Sequence, residues 1–283
     1  MIELPLPPGY DLAATLAFHH LGGHDPNVRR GPGWWQKAVW TEQGPAAVSV
    51  ELHRDRLVGR THGPFPTEQL ADILGLTDDP PALELPWAPV RLARWPFVHE
   101  VVYRRILEQR VAYTDAARSH RRLLERFGEE APLGLKVLSP KRMRRLTAGE
   151  LGWAEVDPQR GRALCEVGLT WSRLDRLREP EALRRAVRSL VGCGPWTAEW
   201  TAGLALADPD AVPTGDFGLP NLVAWNLARE PRADDQRMLE LLEPYRGQRF
   251  RVLRMLLSAG ADAPRFGPRM DPPASRLDRQ ELR

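Results

Sequence analysis

Two spacing regimes divide the 283-residue chain. Over residues 1–75, apolar side chains come in short runs rich in β-favouring types. Trp34-Trp35-Gln36-Lys37-Ala38-Val39-Trp40 and Ala46-Ala47-Val48-Ser49-Val50-Glu51-Leu52 are the clearest, and Gly-Pro pairs at 31–32, 44–45 and 63–64 separate the runs. Such runs between turn formers predict strands. Residues 10–20 fit a helix or a strand, and 67–76 fit a short amphipathic helix. A Pro-rich stretch at 79–89 closes this part and predicts a domain boundary.

Beyond residue 95 the period becomes helical. Apolar residues at 97, 98, 101, 102, 106, 107 and 111 predict a helix over 97–128. Further helices are predicted over 158–166, 181–190, 195–207, 217–228 and 235–257, with Pro140, Pro180, Pro209, Pro213 and Pro231 as punctuation. The expected architecture is α+β. A small N-terminal antiparallel β-sheet domain (1–88) precedes an all-α domain (89–267), and a polar tail (268–283) is expected to be loose. No internal repeat is visible.

Composition narrows the classes. Hydrophobic residues make up 42% and charged residues 27%, which permits a packed core and excludes wholesale disorder. No apolar run reaches the length of a spanning helix, and Met1-Ile2-Glu3-Leu4-Pro5 lacks the basic and apolar regions of a secretory signal. A cytoplasmic monomer without membrane contact is the expectation. Cys165 and Cys193 are the only cysteines, too few for a disulfide framework, a four-cysteine iron–sulfur cluster or a zinc finger. The seven histidines show no metal-binding spacing, so no cofactor is expected to be required.

Charge is uneven. Residues 1–88 carry 6 basic and 11 acidic side chains, a net of −5, whereas 89–283 carry 34 and 26, a net of +8. Of the 40 basic residues only Lys37, Lys136 and Lys141 are lysine. Codon usage in a GC-rich genome explains the arginine excess, but it does not explain the asymmetry. A basic C-terminal part suits a polyanion, and arginine's planar fork suits phosphate.

The most specific stretch is Leu190-Val191-Gly192-Cys193-Gly194-Pro195-Trp196-Thr197-Ala198-Glu199-Trp200. A helix ends near Leu190, two glycines allow a tight turn, and Pro195 fits the first position of a new helix. Amide groups at such a helix start point outward and favour a phosphate. Taken alone, this is also what an ordinary glycine-linked helical hairpin looks like. Twenty residues after Trp196, Asp216 is placed to open the next helix in Val212-Pro213-Thr214-Gly215-Asp216-Phe217-Gly218-Leu219. It reads as a simple N-cap, or as an anion presented beside a DNA-gripping turn.

Together these stretches resemble the signature of the helix–hairpin–helix DNA glycosylase superfamily: a Gly-x-Gly hairpin followed by a Gly/Pro-rich loop ending in an aspartate. Residues 95–260 follow its motif order. The Gly-Pro-Trp-Thr-Ala-Glu-Trp run, with tryptophan where glycosylase-lyases carry lysine, is similar to the 3-methyladenine DNA glycosylase II branch. Ile106-Leu107-Glu108-Gln109-Arg110-Val111-Ala112 resembles that branch's Ile-Leu-Gly-Gln-x-Val-Ser segment, which leads to a minor-groove wedge.

The resemblance implies a monofunctional enzyme that flips alkylated purines out of double-stranded DNA and hydrolyses their N-glycosidic bonds. Asp216 would stabilise the sugar cation and orient water. Trp196 and Trp200 would wall the base pocket, where an electron-poor base stacks on indole; core packing at i, i+4 spacing explains the same pair. Gln109, Arg110, Gly192, Gly194 and Thr197 would contact DNA, with Arg110 as wedge or phosphate contact. A sodium or potassium ion on the carbonyls of Arg188, Leu190 and Cys193 is implied likewise. Glu108 departs from the family's glycine and adds a charge near the wedge, and 245–251 lacks the expected tryptophan pattern, so substrate range stays open. An oxidised-guanine glycosylase and a non-catalytic damaged-DNA-binding module are the alternatives. Two further groups carry plain structural readings beside functional ones: the Trp34, Trp35 and Trp40 cluster, and the arginines at 118, 121, 122 and 126.

Overall fold

A computed structural model describes residues 1–264, so the tail expected at 268–283 lies outside the described residues. The chain opens with β1 (Ile2–Pro5) and a single helical turn, α1 (Leu12–Leu16). Strands β2 (Val28–Gly31), β3 (Trp34–Thr41), β4 (Gly44–Leu52) and β5 (Arg56–His62) follow. They form one antiparallel sheet in the order β1-β5-β4-β3-β2. A two-residue turn, Glu42-Gln43, joins β3 to β4 with Thr41 opposite Gly44. The helix predicted at 67–76 is shorter, a 3₁₀ turn at Thr67–Gln69 leading into α2 (Leu70–Ile73).

Alternation along the strands explains what covers each face. Trp35, Val39, Val48 and Val50 join the main core, whereas Ala38 and Ala47 point the other way. That second face is covered by a hairpin absent from the helical expectation, β6 (Glu129–Ala131) and β7 (Leu135–Val137), through Leu135 and Val137. Lys136 N–H donates to the Pro26 carbonyl at 2.9 Å, fixing the hairpin on the sheet. The three N-terminal tryptophans are therefore not one cluster: Trp35 packs edge-on to Trp95, Trp34 is partly exposed, and Trp40 sits under the hairpin.

The remaining elements are helical. The helix predicted over 97–128 is two helices, α3 (Val98–Leu107) and α4 (Tyr113–Phe127), broken where Arg110 takes φ +56°. After the hairpin come α5 (Pro140–Met143), α6 (Ala148–Trp153), α7 (Pro158–Leu174), α8 (Pro180–Arg188), α9 (Pro195–Ala205) and α10 (Leu219–Ala228). The run predicted over 235–257 also divides, into α11 (Asp235–Leu242) and α12 (Arg249–Ala259), with Gly247 at φ +87° between them. At the first break the apolar period continues from Leu107 to Val111 through a backbone conformation that a helix cannot hold, whereas the second falls at Pro244 and Gly247, both helix stops.

One core runs from the sheet into the helices. At its centre the Glu100 carboxylate of α3 accepts from Lys37 Nζ (2.8 Å), Arg104 Nε (2.7 Å) and Trp95 Nε1. Lys37 also donates to the His19 carbonyl and to Asn27 Oδ1, at 3.1 and 2.9 Å. This buried network joins β3, the chain after α1, and α3. Arg254 of α12, also buried, donates to the Ala14 carbonyl at 2.9 Å and stacks over Phe18. Arg251 clamps both oxygens of Asp78 at 2.7 and 2.8 Å, so the Pro-rich connector is anchored to α12. Gly203 lets α9 meet α12 closely: a Cβ there would lie 2.3 Å from the Phe250 ring. The Phe18 stretch is thereby held against α9 and α12.

Glu100→Ala leaves Lys37 and Arg104 buried without their shared carboxylate and should cost about 3–5 kcal/mol by denaturant unfolding. A loss under about 1 kcal/mol would show that the network is not a structural tie. His99 of α3 is buried; burial disfavours its charged form, but the Asp175 carboxylate 2.7 Å from Nδ1 outweighs that and raises its pKa above the ordinary 6.5. This stabilisation is complete below pH 6.5 and is lost as pH rises through the raised folded value. The stability difference between wild type and Asp175→Asn should therefore be largest near about pH 6 and shrink on going alkaline.

Candidate active site

Local chemistry builds the hairpin. Helix α8 ends at Arg188, and the turn closes as Cys193 N–H donates to the Leu190 carbonyl at 3.1 Å. Gly192 sits at φ +75°, a backbone conformation that favours glycine, and a Cβ there would also crowd the Gln159 side chain at 3.2 Å. Gly194 is the N-cap of α9 and Pro195 its first residue. Arg184 of α8 binds Glu199 of α9 with Nε and Nη2 and also reaches Asp208, locking the two helices to the loop beyond.

That loop is pinned along its length. Asp210 accepts from Gly247 N–H (2.7 Å) and Arg249 Nε (2.8 Å), the Pro209 carbonyl accepts from Phe250 N–H (2.8 Å), and Gly215 N–H donates to Asp235 at 2.7 Å. Asp216 follows. The helix predicted from 217 starts at Leu219 with Gly218 as N-cap, so Asp216 precedes it by a short turn. Its Oδ1 still accepts from Gly218 N–H at 2.8 Å and Leu219 N–H at 3.0 Å. Its Oδ2 accepts from Trp196 Nε1 at 2.7 Å. Three fixed donors thus orient a half-buried carboxylate.

Asp216 lies on the wall of a cavity of about 550 Å³, within the range of small-molecule sites. Trp196 and Trp200, one turn apart on α9, form the adjoining wall. Trp200 is 4% exposed and also belongs to the core, lying edge-on to Phe250; both readings of this residue hold together. Gln109 does not face the cavity: its Nε2 donates to Thr197 Oγ1 at 2.9 Å and the Gly192 carbonyl at 3.2 Å, stapling the loop after α3 to the hairpin. Arg110 is exposed at the tip of that loop. The Arg188, Leu190 and Cys193 carbonyls border the turn. The Leu190 oxygen keeps a second lone pair beside its one N–H, a donor type that suits a hard cation.

Several cavity residues carried no sequence signal. Phe18 stacks on Trp200 with centroids 5.6 Å apart, and Asp11, Ala14 and His20 come from the same N-terminal segment. Burial, with the charges of Arg30 and Arg104, lowers the His20 pKa to about 4 and keeps it neutral near pH 7. Arg105, Glu108 and Tyr113 complete the floor, and burial holds the Glu108 carboxyl above the ordinary range although Arg105 opposes it. Phe217, next to Asp216, is 99% exposed. The arginines of α4 are mostly engaged within the protein. Arg118 pairs with Asp115 and Glu155, Arg122 pairs with Glu155, and Arg126 stacks on Trp153.

No family model matches the sequence, and no curated protein matches it. Solved structures do share the fold. A 3-methyladenine DNA glycosylase from Archaeoglobus fulgidus superposes with a TM-score of 0.72 at 17% identity, over 91% of this chain and 97% of that one. A structure described as MBOgg1 bound to a low-affinity DNA ligand gives 0.66 at 13% identity, over 92% and 98%. An 8-oxoguanine glycosylase/lyase from Clostridium acetobutylicum, bound to duplex DNA, gives 0.61 at 11%, over 88% and 90%. The α+β fold of DNA glycosylases is thus the fold of this chain.

The proposed wedge role of Arg110 generates a prediction with two readouts. Arg110→Gly removes a side chain from a left-handed position, so stability should hold or rise by up to about 1 kcal/mol. Binding to a duplex with an abasic-site analogue should weaken. Lower stability with unchanged DNA affinity would make Arg110 a structural residue.

Proposed function

We propose that this protein is a monofunctional DNA glycosylase that removes alkylated purines from duplex DNA by hydrolysis. The observation that carries the reading is the oriented Asp216 carboxylate on a cavity walled by indoles, beside a glycine hairpin. The hairpin's amides suit phosphate oxygens directly, and the carbonyls of Arg188, Leu190 and Cys193 would hold an alkali cation that adds positive charge beside the DNA backbone.

The chemistry follows from the arrangement. The damaged nucleotide leaves the stack and its base enters the cavity. An alkylated purine such as 7-methylguanine carries positive charge, so when the C1′–N bond breaks, the electron pair neutralises the departing ring. Little acid assistance is needed. The positive charge moves to the sugar, an oxocarbenium-like centre, which the Asp216 carboxylate faces. Water, oriented by Asp216, then adds through its oxygen at C1′, and its surplus proton passes to solvent.

Lysine placement favours hydrolysis over a lyase step, which needs an amine to attack the sugar. The chain has three lysines. Lys37 is buried against Glu100, and Lys136 and Lys141 lie on β7 and α5. None lines the cavity, and the place a lyase gives to lysine holds Trp196, donating to Asp216. Similarity to both 3-methyladenine and 8-oxoguanine enzymes supports damaged duplex DNA as the partner, and the lysine-free wall favours the first class.

Duplex DNA treated with a methylating agent, with mass detection of the freed base, tests the proposal. Wild type should release methylpurines, and Asp216→Asn should be slower by about 10²-fold or more. Release by the variant at the parental rate contradicts the mechanism. Release of oxidised guanine with strand cleavage would favour the lyase class, and binding of abasic DNA without base release would favour a non-catalytic module.

A further inference from the structure

Besides Asp216, two carboxylates line the cavity, Asp11 and Glu108, and the mechanism above uses neither. Glu108 sits at the end of α3, where the chain turns toward Gln109 and Arg110. Arg105, one turn earlier, grips both of its oxygens: Nη2 to Oε1 at 2.8 Å and Nη1 to Oε2 at 2.7 Å. The pair is no surface salt bridge, since the Arg105 side chain is 5% exposed and that of Glu108 12%. The guanidinium also lies 5.6 Å from the Trp200 ring centroid, and Trp200 stacks on Phe18. Glu108 is therefore held on the cavity wall by packed layers.

Burying an ion pair gives little net stability compared with apolar side chains of similar volume. The pair instead fixes the charge of the cavity. Asp11, Glu108 and Asp216 are acidic and Arg105 is the one basic side chain among the described lining residues besides the neutral His20, so with every carboxyl ionised the lining is net −2. This is a local inversion in a chain of net charge +3. Each Glu108 oxygen, already bonded once to Arg105, keeps a further lone pair for an incoming N–H.

We propose that Glu108, held by Arg105, is a base-contacting specificity residue that accepts an N–H group from the edge of an extruded purine and favours a cationic ring over a neutral one. This rests on the reading of the cavity as the receptor of the flipped base. A guanine-type lesion presents ring and exocyclic N–H donors, one of which an outward lone pair of Glu108 can take beside the Arg105 fork, and a methylated, positively charged ring gains from the anionic lining as well.

The test uses Glu108→Gln, which keeps shape and removes charge, in two assays on the same preparation. One is single-turnover release of 7-methylguanine from a defined duplex. The other is affinity for the same duplex carrying an abasic-site analogue, which has no base to contact. The expected result is release slowed about tenfold or more, the scale of one charge-assisted hydrogen bond, with abasic affinity unchanged or tighter. Unchanged release, or release and abasic affinity falling together, overturns the proposal. Wild-type protein that frees no base contradicts the proposed function itself, and this inference with it.

Discussion

Three N–H groups converge on one carboxylate, and the organisation of the site depends on that convergence. Two come from the backbone entering α10 and one from the indole of Trp196. Each removes freedom from Asp216 before any ligand arrives. Preorganised charge is effective in catalysis because no reorganisation remains to be done as the transition state forms. The loop could not hold this position by itself. It is fixed by Arg184 on one side and by the Asp210–Arg249 pair on the other. The carboxylate, the hairpin and the start of α12 thus form one mechanical unit.

A second unit carries the opposite wall. The Lys37–Glu100–Arg104 network and the burial of Arg254 against Ala14 hold the first twenty residues on the helical body. Burial, with the charges of Arg251 and Arg105 beside it, lowers the pKa of Arg254, as expected of a guanidinium removed from water. Through these ties the N-terminal segment delivers Phe18 to the face of Trp200. The sheet is thereby part of the pocket's construction, because its third strand supplies the lysine that anchors the chain leading there.

Some of this was legible in the sequence, and the reasons differ by residue. The hairpin and Asp216 were readable because their signals are local: glycines where the backbone needs them, proline at a helix start, a carboxylate twenty residues on. The β3–β4 pair was readable from its apolar runs. Strand β5 was not, since Arg56–His62 mixes charged and apolar residues without a clean alternation. The hairpin at 129–137 was missed because its identity comes from the sheet face it covers, a tertiary contact. The break at Arg110 was missed because apolar spacing continues through it while the backbone turns to positive φ, whereas the break at Gly247 carried a local signal, Pro244 and Gly247, that the flanking apolar runs masked. Phe18 and Arg105 joined the site through packing alone. Glu108 was visible only as a departure from a family pattern, and burial beside Arg105 gives that departure a physical meaning.

The central claim is that Asp216 stabilises positive charge on a sugar that has lost its base. Its most direct measurement compares two otherwise identical duplexes, one with a cationic pyrrolidine abasic analogue and one with its neutral tetrahydrofuran counterpart. The account predicts that wild type binds the cationic duplex more tightly, by about 10²-fold as for a transition-state mimic, and that Asp216→Asn abolishes the preference. Equal affinity of the wild-type protein for the two duplexes would contradict it.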